Sequence, residues 1–294
     1  DARKWARKVE RLVELGKYED TTEAGMTTLG QALERYISEK LIHNKNAKPD
    51  EYRIAKILRH PISTVSLAEL TSGKLSKFRN EIALETSNSS ANRYITLICG
   101  CIRTIIQEWD IYIPTNPCKN LRKLKEPAPV EDRISPTQEE SILEHATRTQ
   151  VRELPCIIVI AIELGLRRSE ILNLRWEHVK ENAFVLVDTK NNETRTVPIT
   201  NRVKAELSKI PRNISGNVFA GVTIPRFTRA WSKCLELAGV DTTFHRLRHE
   251  ACSRMNDKGF TIPEICAISG HKTWSVLKRY THIKVEHLQE KLNA

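Results

Sequence analysis

The sequence lacks the features that most directly indicate a membrane or secreted protein. A membrane-spanning helix needs about 20 apolar residues, and the apolar stretch Cys156–Leu164 is far too short. The seven cysteines include no Cys-x-x-Cys pair, so their spacing indicates neither a zinc site nor a disulfide framework. There is no signal-peptide pattern. We therefore expect buried free thiols, a cytoplasmic location and no membrane partner.

Acidic residues are in the minority. The chain has 36 Asp and Glu against 47 Lys and Arg, for a net charge of +11. This balance favours a polyanionic partner, with nucleic acid first and an anionic membrane surface second. Charge alone does not separate these partners from simple solubility.

The chain is organised in three segments. Residues 1–25 carry one short helical pattern and begin without an initiator Met, which we interpret as a linker helix or the tail of a missing N-terminal domain. Residues 26–128 are helical by period, with 16 basic and 10 acidic residues. The prolines of Leu124–Asp132 indicate a linker. Residues 129–294 form the last segment, with 25 basic and 20 acidic residues.

Apolar spacing and capping signals predict a mostly α protein with one small β-sheet. We expect helices over 29–43, 49–59, 74–84, 87–109, from Pro136 onwards, 157–164 and 262–268. Two β-rich runs, 184–188 and 195–199, flank a polar stretch, a pattern typical of a hairpin. No internal repeat or low-complexity tract interrupts this order.

The run LGLRRSEILNL predicts a corner between two helices. Gly165 ends the first helix, and a second begins near Ser169, which Ser169 and Glu170 are suited to cap. Arg167 lies at this corner, where a guanidinium is able to bind two oxygens of a phosphate. By itself, an arginine at a corner is more often structural.

A second cluster is the run HRLRH, residues 245–249. On a helix, His245, Arg248 and His249 share a face because they are three and four residues apart. His245 and His249 also have the spacing of a metal-binding pair, but no Glu lies between them and the arginines there would repel a cation. We expect a phosphate on this face and no metal, with Arg248 neutralising charge and His245 transferring a proton.

The third cluster is Ser269-Gly270-His271, followed by Tyr280. Gly270 is suited to end a helix and to place His271 at the turn. A tyrosine is a poor nucleophile because its pKa is about 10, but neighbouring arginines lower that value and a histidine is able to accept the proton. A single tyrosine of this kind is usually part of the core or the surface.

Together, these clusters resemble the tyrosine recombinase (phage integrase) family, including integrase and shufflon-type enzymes. The family pattern is an Arg in a GLR-x-SE corner, a Lys in a β-hairpin, His-x-x-Arg, and Gly-His with a Tyr nine residues later. The matching residues are Arg167, Lys190, His245, Arg248, His271 and Tyr280. The hairpin is similar to the family's GKGNKxRxVPL element, but it carries Asn191 where glycine is usual and Glu193 in place of a second lysine.

The resemblance covers residues 26–294 and implies a domain organisation. Residues 26–128 would be a helical core DNA-binding domain, and 129–294 a mixed α/β catalytic domain that completes a C-shaped DNA clamp. Residues 1–25 resemble the stretch that joins an arm-binding domain to the core. Lys77 and Arg93 are expected on DNA-facing surfaces.

The resemblance also implies an activity, that of a site-specific recombinase (integrase) of a bacterial or phage mobile element. The enzyme would cleave and rejoin DNA through a 3′-phosphotyrosine, without metal, ATP or another cofactor. The implied roles are Tyr280 as nucleophile, Arg167 and Arg248 on the non-bridging oxygens, Lys190 as general acid, His245 in proton transfer and His271 as a phosphate hydrogen-bonding group.

The implied partners are double-stranded DNA with a specific core site, three further copies of the chain in a tetramer, and accessory DNA-bending proteins. The apolar pattern over 283–292 fits both a helix on its own core and a helix docked on a neighbouring protomer. Two alternatives to the recombinase remain. One is DNA relaxation of the type IB topoisomerase kind, and the other is a non-catalytic DNA-binding regulator with the same fold.

Overall fold

The structure is a computed structural model that describes residues 19–44, 47–127, 133–188 and 193–271, together with residues 7, 10, 11, 14 and 15. By internal contacts, the chain divides into two compact units, Asp1–Pro129 and Val130–Ala294. The described residues are mostly helical, with one two-stranded antiparallel sheet. The predicted fold class, mostly α with a small sheet, is therefore confirmed.

The first unit is a helical bundle. Its α-helices are α1 (Thr22–Met26), α2 (Leu29–Tyr36), α3 (Lys48–Leu58), α4 (Ser72–Glu85) and α5 (Asn88–Glu108). Side-chain caps begin two of these helices: Thr28 forms a capping box with Gln31, and the Ser87 hydroxyl accepts from the Ser90 N–H. The helix predicted over 29–43 changes at Ile37 into a π-helical turn, Ile37–Leu41.

The core of the first unit lies along α5, whose inward face is fully or nearly buried at Ile95, Ile98, Ile102 and Ile105. These positions recur every three or four residues, as the apolar pattern predicted. Leu29, Leu33, Ile54 and Leu75 from the other helices belong to the same core.

The segment from Leu124 onwards, which was predicted to be a linker, is bound at its start to the first unit. The Asn92 side chain accepts from the Leu124 N–H at 2.8 Å and donates to the Leu124 carbonyl at 2.9 Å. It also donates to Glu126 at 2.9 Å. Asn92 is buried on α5, so these bonds fix the chain to the first unit as far as Glu126. The prolines alone did not reveal this.

The second unit consists of helices around a buried apolar helix and one hairpin. Its elements are α6 (Pro136–Ala146), α7 (Leu154–Leu164), α8 (Arg168–Leu172), β1 (Ala183–Asp188), β2 (Glu193–Pro198), α9 (Asn201–Leu207), α10 (Ile224–Ala238), α11 (Phe244–Asp257) and α12 (Ile262–Ser269). The predicted hairpin is confirmed, with Leu186 opposite Arg195 in register.

Helix α7 organises the second unit because it is apolar on nearly all sides. A helix of this kind is stable in water only when other elements surround it. Helices α6, α9, α10 and α11 all pack against it. Helix α12 contacts both α11 and strand β2, which brings the end of α12 next to the hairpin.

The seven cysteines are free thiols, and Cys101, Cys156, Cys234 and Cys252 are buried. Burial raises the pKa of the Cys101 and Cys156 thiols to about 12 in each case, which makes them unreactive. Within the part of the chain that the structure describes, no helix is both long and apolar enough to cross a membrane.

Candidate active site

The corner between α7 and α8 positions Arg167. Helix α7 ends at Gly165, which has a left-handed φ of 63°. Helix α8 begins at Arg168, one position earlier than predicted, and Arg167 is the residue before it. Glu170, rather than Ser169, completes the cap of this helix. The Glu170 carboxylate accepts from both the Arg167 backbone N–H and its Nη1, each at 2.8 Å. The Arg167 side chain is 41% exposed, so a bound anion has access to it.

Arg248, on the first turns of α11, is only 3% exposed. Its Nη1 donates to the Gly165 carbonyl at 2.6 Å and to the Ser269 carbonyl at 2.6 Å. One guanidinium therefore connects the α7–α8 corner with the end of α12. These two segments are about 100 residues apart in the sequence.

The turn after α12 brings His271 to the same place. Gly270 ends the helix with a left-handed φ of 75°, as predicted. The Gly270 carbonyl accepts from Arg167 Nη2 at 2.7 Å, and His271 Nδ1 lies 2.7 Å from the Ser269 hydroxyl. Three of the predicted site residues, Arg167, Arg248 and His271, are thus brought together.

The site is strongly electropositive. Burial, with the nearby Arg167 charge second, lowers the pKa of Arg248 to about 10, so the guanidinium remains charged at pH 7. Burial acts to raise the pKa of Glu170, but its hydrogen bonds from Arg195 and Arg167 outweigh this and lower it. One carboxylate among several cations leaves a site suited to an anion with more than one oxygen.

The electropositive surroundings of the site also act on His271. Burial, followed by the charges of Arg248 and Arg167, lowers the pKa of His271 from 6.5 to about 4, so the ring is neutral at pH 7. The Ser269 hydroxyl donates to the Ile265 carbonyl at 2.5 Å, so its oxygen accepts from the Nδ1–H of the ring. Nε2 then carries a lone pair. The ring is able to accept a proton, or to donate to a phosphate whose charge has raised its pKa.

We expect the pH dependence of folding to report this shift. Between about 4 and 6.5 the unfolded chain binds a proton at His271 and the folded chain does not, so stability is lost as the pH falls through this window. The slope from this residue is at most about 1.4 kcal/mol per pH unit. Urea unfolding of the wild type and of His271→Gln at pH 7, 6, 5 and 4 measures it. Parallel profiles for the two proteins would contradict the prediction.

His245 and His249 lie on the same helix face as Arg248, as predicted, with their ring centroids 4.7 Å apart and nearly perpendicular. Their charges, if present, would lower the pKa of His271, so both rings are close enough to act on it electrostatically. Among the described residues, no group of three or more His, Cys, Asp or Glu side chains is placed to hold a metal ion.

Arg195 is a site residue that the sequence analysis did not assign. It lies on strand β2, and its two Nη atoms donate to the two Glu170 oxygens at 3.0 and 2.8 Å. Nη2 also reaches the Ser269 carbonyl at 3.4 Å. Arg195 is the first residue of the RTVP run after the hairpin turn, so the sequence does show a basic residue there. Its partner, Glu170, lies 25 residues earlier, and a periodic pattern does not reveal a contact over that separation.

Two of the remaining predicted residues, Lys190 and Tyr280, fall outside the described residues. Lys77 on α4 and Arg93 on α5 are exposed on the first unit.

This arrangement places two arginines and a histidine close together beside a small hairpin, on a mostly helical unit, in surroundings suited to bind an anion such as a phosphate. The model of the phage integrase family matches residues 132–287. The chain belongs to the phage integrase family of tyrosine recombinases.

Similar proteins agree with this assignment. The shufflon-specific DNA recombinase of Escherichia coli is 33% identical over 280 residues, which cover 91% of this chain and 72% of that protein. The Tn1549 transposon integrase in complex with circular intermediate DNA has a TM-score of 0.74 at 19% identity, covering 90% of this chain and 99% of the other. A lambda integrase tetramer bound to a Holliday junction has a TM-score of 0.73 at 18% identity, covering 86% and 77%. The two structural likenesses show the fold.

Proposed function

We propose that this chain is the site-specific recombinase of a mobile element, acting on bacterial DNA in the cytoplasm through a 3′-phosphotyrosine intermediate. The observation that carries the proposal is the convergence of Arg167, Arg248 and His271 on one electropositive site. In this proposal, residues 129–294 are the catalytic domain, 26–128 the core DNA-binding domain and 1–25 a linker helix.

The two arginines would act on the scissile phosphate. Attack on phosphorus gives a five-coordinate transition state with more negative charge on the non-bridging oxygens. Arg167 and Arg248 are fixed before DNA binds by hydrogen bonds to the carbonyls of Gly270, Gly165 and Ser269. Preorganised donors in a partly dry site stabilise such charge most, because they need not reorient during the reaction.

The remaining roles follow the family pattern. Tyr280 would attack phosphorus: its oxygen forms the new bond to phosphorus, its proton passes to a neighbouring histidine, and the bond from phosphorus to the 5′-oxygen breaks. Lys190 would donate the proton that the leaving 5′-hydroxyl needs, and His245 would assist proton transfer. His271, neutral at pH 7, would bind the phosphate through Nε2 once the phosphate charge has brought a proton to the ring.

The new phosphotyrosine ester retains the energy of the broken phosphodiester, so rejoining needs no ATP. Attack by the 5′-hydroxyl of a second duplex would yield the recombinant product. We propose double-stranded DNA with a specific core site as substrate and a homotetramer as the active assembly, in keeping with the tetramer of the lambda relative. Accessory DNA-bending proteins are compatible with this assembly.

Covalent trapping tests the proposal. Incubating the protein with nicked duplexes spanning its native attachment site, in EDTA, should give a protein–DNA adduct on a denaturing gel. Tyr280→Phe is the control and should give none while binding the same DNA. Absence of an adduct on DNA that the wild type binds would favour a non-catalytic regulator. Relaxation of supercoils without strand exchange between two labelled sites would favour a topoisomerase.

We expect Lys77 and Arg93 to contribute to affinity rather than to chemistry. Each is exposed on a helix of the first unit. Lys77→Ala and Arg93→Ala should weaken binding to all sequences alike, and each should reduce the slope of log K against log salt by about 1. Fluorescence anisotropy at several salt concentrations measures this. Lys40→Ala, which removes a lysine already paired with Glu108, is the matched control. A slope equal to that of the wild type would exclude phosphate contacts at these positions.

A further inference from the structure

We propose that Arg195 is a positioning residue for DNA cleavage, one that couples strand β2 to the phosphate-binding Arg167 and to the turn that presents His271. The inference rests on the proposed function. Arg195 itself would not touch the DNA. It would act by holding Glu170 and Gly270, which in turn hold Arg167 and His271.

Glu170 is shared between two arginines. Its Oε1 accepts from Arg167 Nη1 at 2.8 Å and from Arg195 Nη1 at 3.0 Å. Its Oε2 accepts from the Arg167 backbone N–H at 2.8 Å and from Arg195 Nη2 at 2.8 Å. Arg195 therefore binds the carboxylate in a bidentate geometry, which fixes the orientation of the carboxylate plane relative to the guanidinium plane. With Arg195 in place, Glu170 has one orientation, and Arg167 is directed by it.

Arg195 also packs against the turn after α12. A Cβ atom on Gly270 would lie 2.6 Å from Arg195 Cζ, so the guanidinium occupies the space that any larger residue would need. Arg195 Nη2 approaches the Ser269 carbonyl, which also accepts from Arg248. The Gly270 carbonyl accepts from Arg167. Both carbonyls of this turn are thus bound by the arginines that would hold the phosphate, while Arg195 supports the turn from the other side.

The charges at the site argue against a purely stabilising role. Arg195 adds a cation to a group that already contains Arg167 and Arg248, and its charge contributes to lowering the pKa of Arg248. Among the described residues, its Nε is buried without a hydrogen-bond partner, which is a further cost to folding. Stability alone would be served as well by apolar residues at both Arg195 and Glu170. An arginine at this position is explained by the need to fix the orientation of Glu170.

The test separates the rate of cleavage from folding and from DNA affinity. Arg195→Lys keeps the charge but loses the two-pronged contact. The matched control is Arg202→Lys, because Arg202 also binds two carboxylates, Glu139 and Glu163, in the same unit but outside the site. For each protein we would measure the rate constant and the amplitude of adduct formation on a nicked duplex, the Kd for that duplex, and the melting temperature. Should Arg195→Lys fail to fold, Arg195→Gln, which retains donors toward Glu170, carries the same test.

A positioning role predicts that Arg195→Lys lowers the cleavage rate constant about 100-fold, with Kd changed less than about threefold. Arg202→Lys should retain the wild-type rate. A substrate whose leaving 5′-oxygen is replaced by sulfur needs no general acid. The defect should persist on it, because Arg195 acts through Arg167 and His271 and not through proton donation.

Three results would overturn the inference. The first is a wild-type rate in Arg195→Lys, and the second is a reduced amplitude with an unchanged rate constant, which is the signature of partial unfolding. The third is recovery on the sulfur substrate, which would place the effect on the general acid. A wild-type protein that forms no adduct on DNA it binds would overturn the proposed function instead, so the two failures are distinguishable.

Discussion

Replacing Arg248 by lysine should lower the rate of DNA cleavage by about 10²–10³ while leaving DNA binding nearly unchanged. The guanidinium donates from one nitrogen to the carbonyls of Gly165 and Ser269, both at 2.6 Å, and has further N–H groups for a phosphate. A lysine ammonium has three donors and no planar fork, so it is unable to hold both carbonyls and bind two phosphate oxygens. Single-turnover adduct formation on a nicked duplex measures the rate, and anisotropy measures the affinity.

Arg254→Lys is the matched control for this prediction. Arg254 lies on the same helix and is bound to carboxylates, Glu250 and Glu139, that are not part of the site. Its variant should cleave DNA at nearly the wild-type rate. Equal rates for Arg248→Lys and Arg254→Lys would mean that the Arg248 side chain serves the fold and not the phosphate.

The lysine variant should also acquire a pH dependence that the wild type lacks. Burial and the neighbouring Arg167 lower the pKa of Arg248 to about 10, which leaves the guanidinium charged across the neutral range. A lysine begins about two pKa units lower. The same surroundings would therefore bring its titration towards neutral pH. The ratio of variant rate to wild-type rate should fall as the pH is raised, a result that simple loss of packing would not produce.

Local signals in the sequence were sufficient to predict most elements of the fold. The Ser135 cap with Pro136 and the Ser87 cap start helices where the structure has them. The alternation over 184–188 forms a strand. Gly165 and Gly270 end helices in the left-handed conformation that only glycine adopts readily. Each of these signals depends on neighbours within about four residues, which a single sequence records directly.

The contacts between distant segments were not predictable in this way. The Asn92 side chain binds the backbone at Leu124, and Arg195 binds Glu170, across 32 and 25 residues. Asn92 appears in the sequence as one more polar residue in a long helix, and Arg195 as one more basic residue in a strand. Only the fold shows that the first is buried and that the second faces the site. The candidate catalytic residues were identified from their resemblance to a family pattern. Glu170 and Arg195 lie within the same quoted motifs, but the motifs do not show that the two side chains bind each other.

Replacing Gly270 by alanine should both destabilise the protein and strongly slow cleavage, whereas Gly239→Ala should only destabilise it. Both glycines end helices in the left-handed region, with φ of 75° and 65°, so each alanine should cost about 1–2 kcal/mol in backbone strain. At Gly239 nothing lies within 4 Å of the added Cβ. At Gly270 the Cβ would lie 2.6 Å from Arg195 Cζ.

The flexible arginine is able to relieve that overlap only by leaving Glu170 and the Ser269 carbonyl. The orientation of Arg167 and the turn that presents His271 would be lost with it. We therefore expect Gly270→Ala to lose at least about 100-fold in cleavage rate, with a larger drop in melting temperature than Gly239→Ala. The comparison removes backbone strain as an explanation because both variants share it. Equal cleavage rates in the two variants would show that Arg195 moves aside without consequence, and that the turn after α12 holds its place by the Arg167 and Arg248 bonds alone.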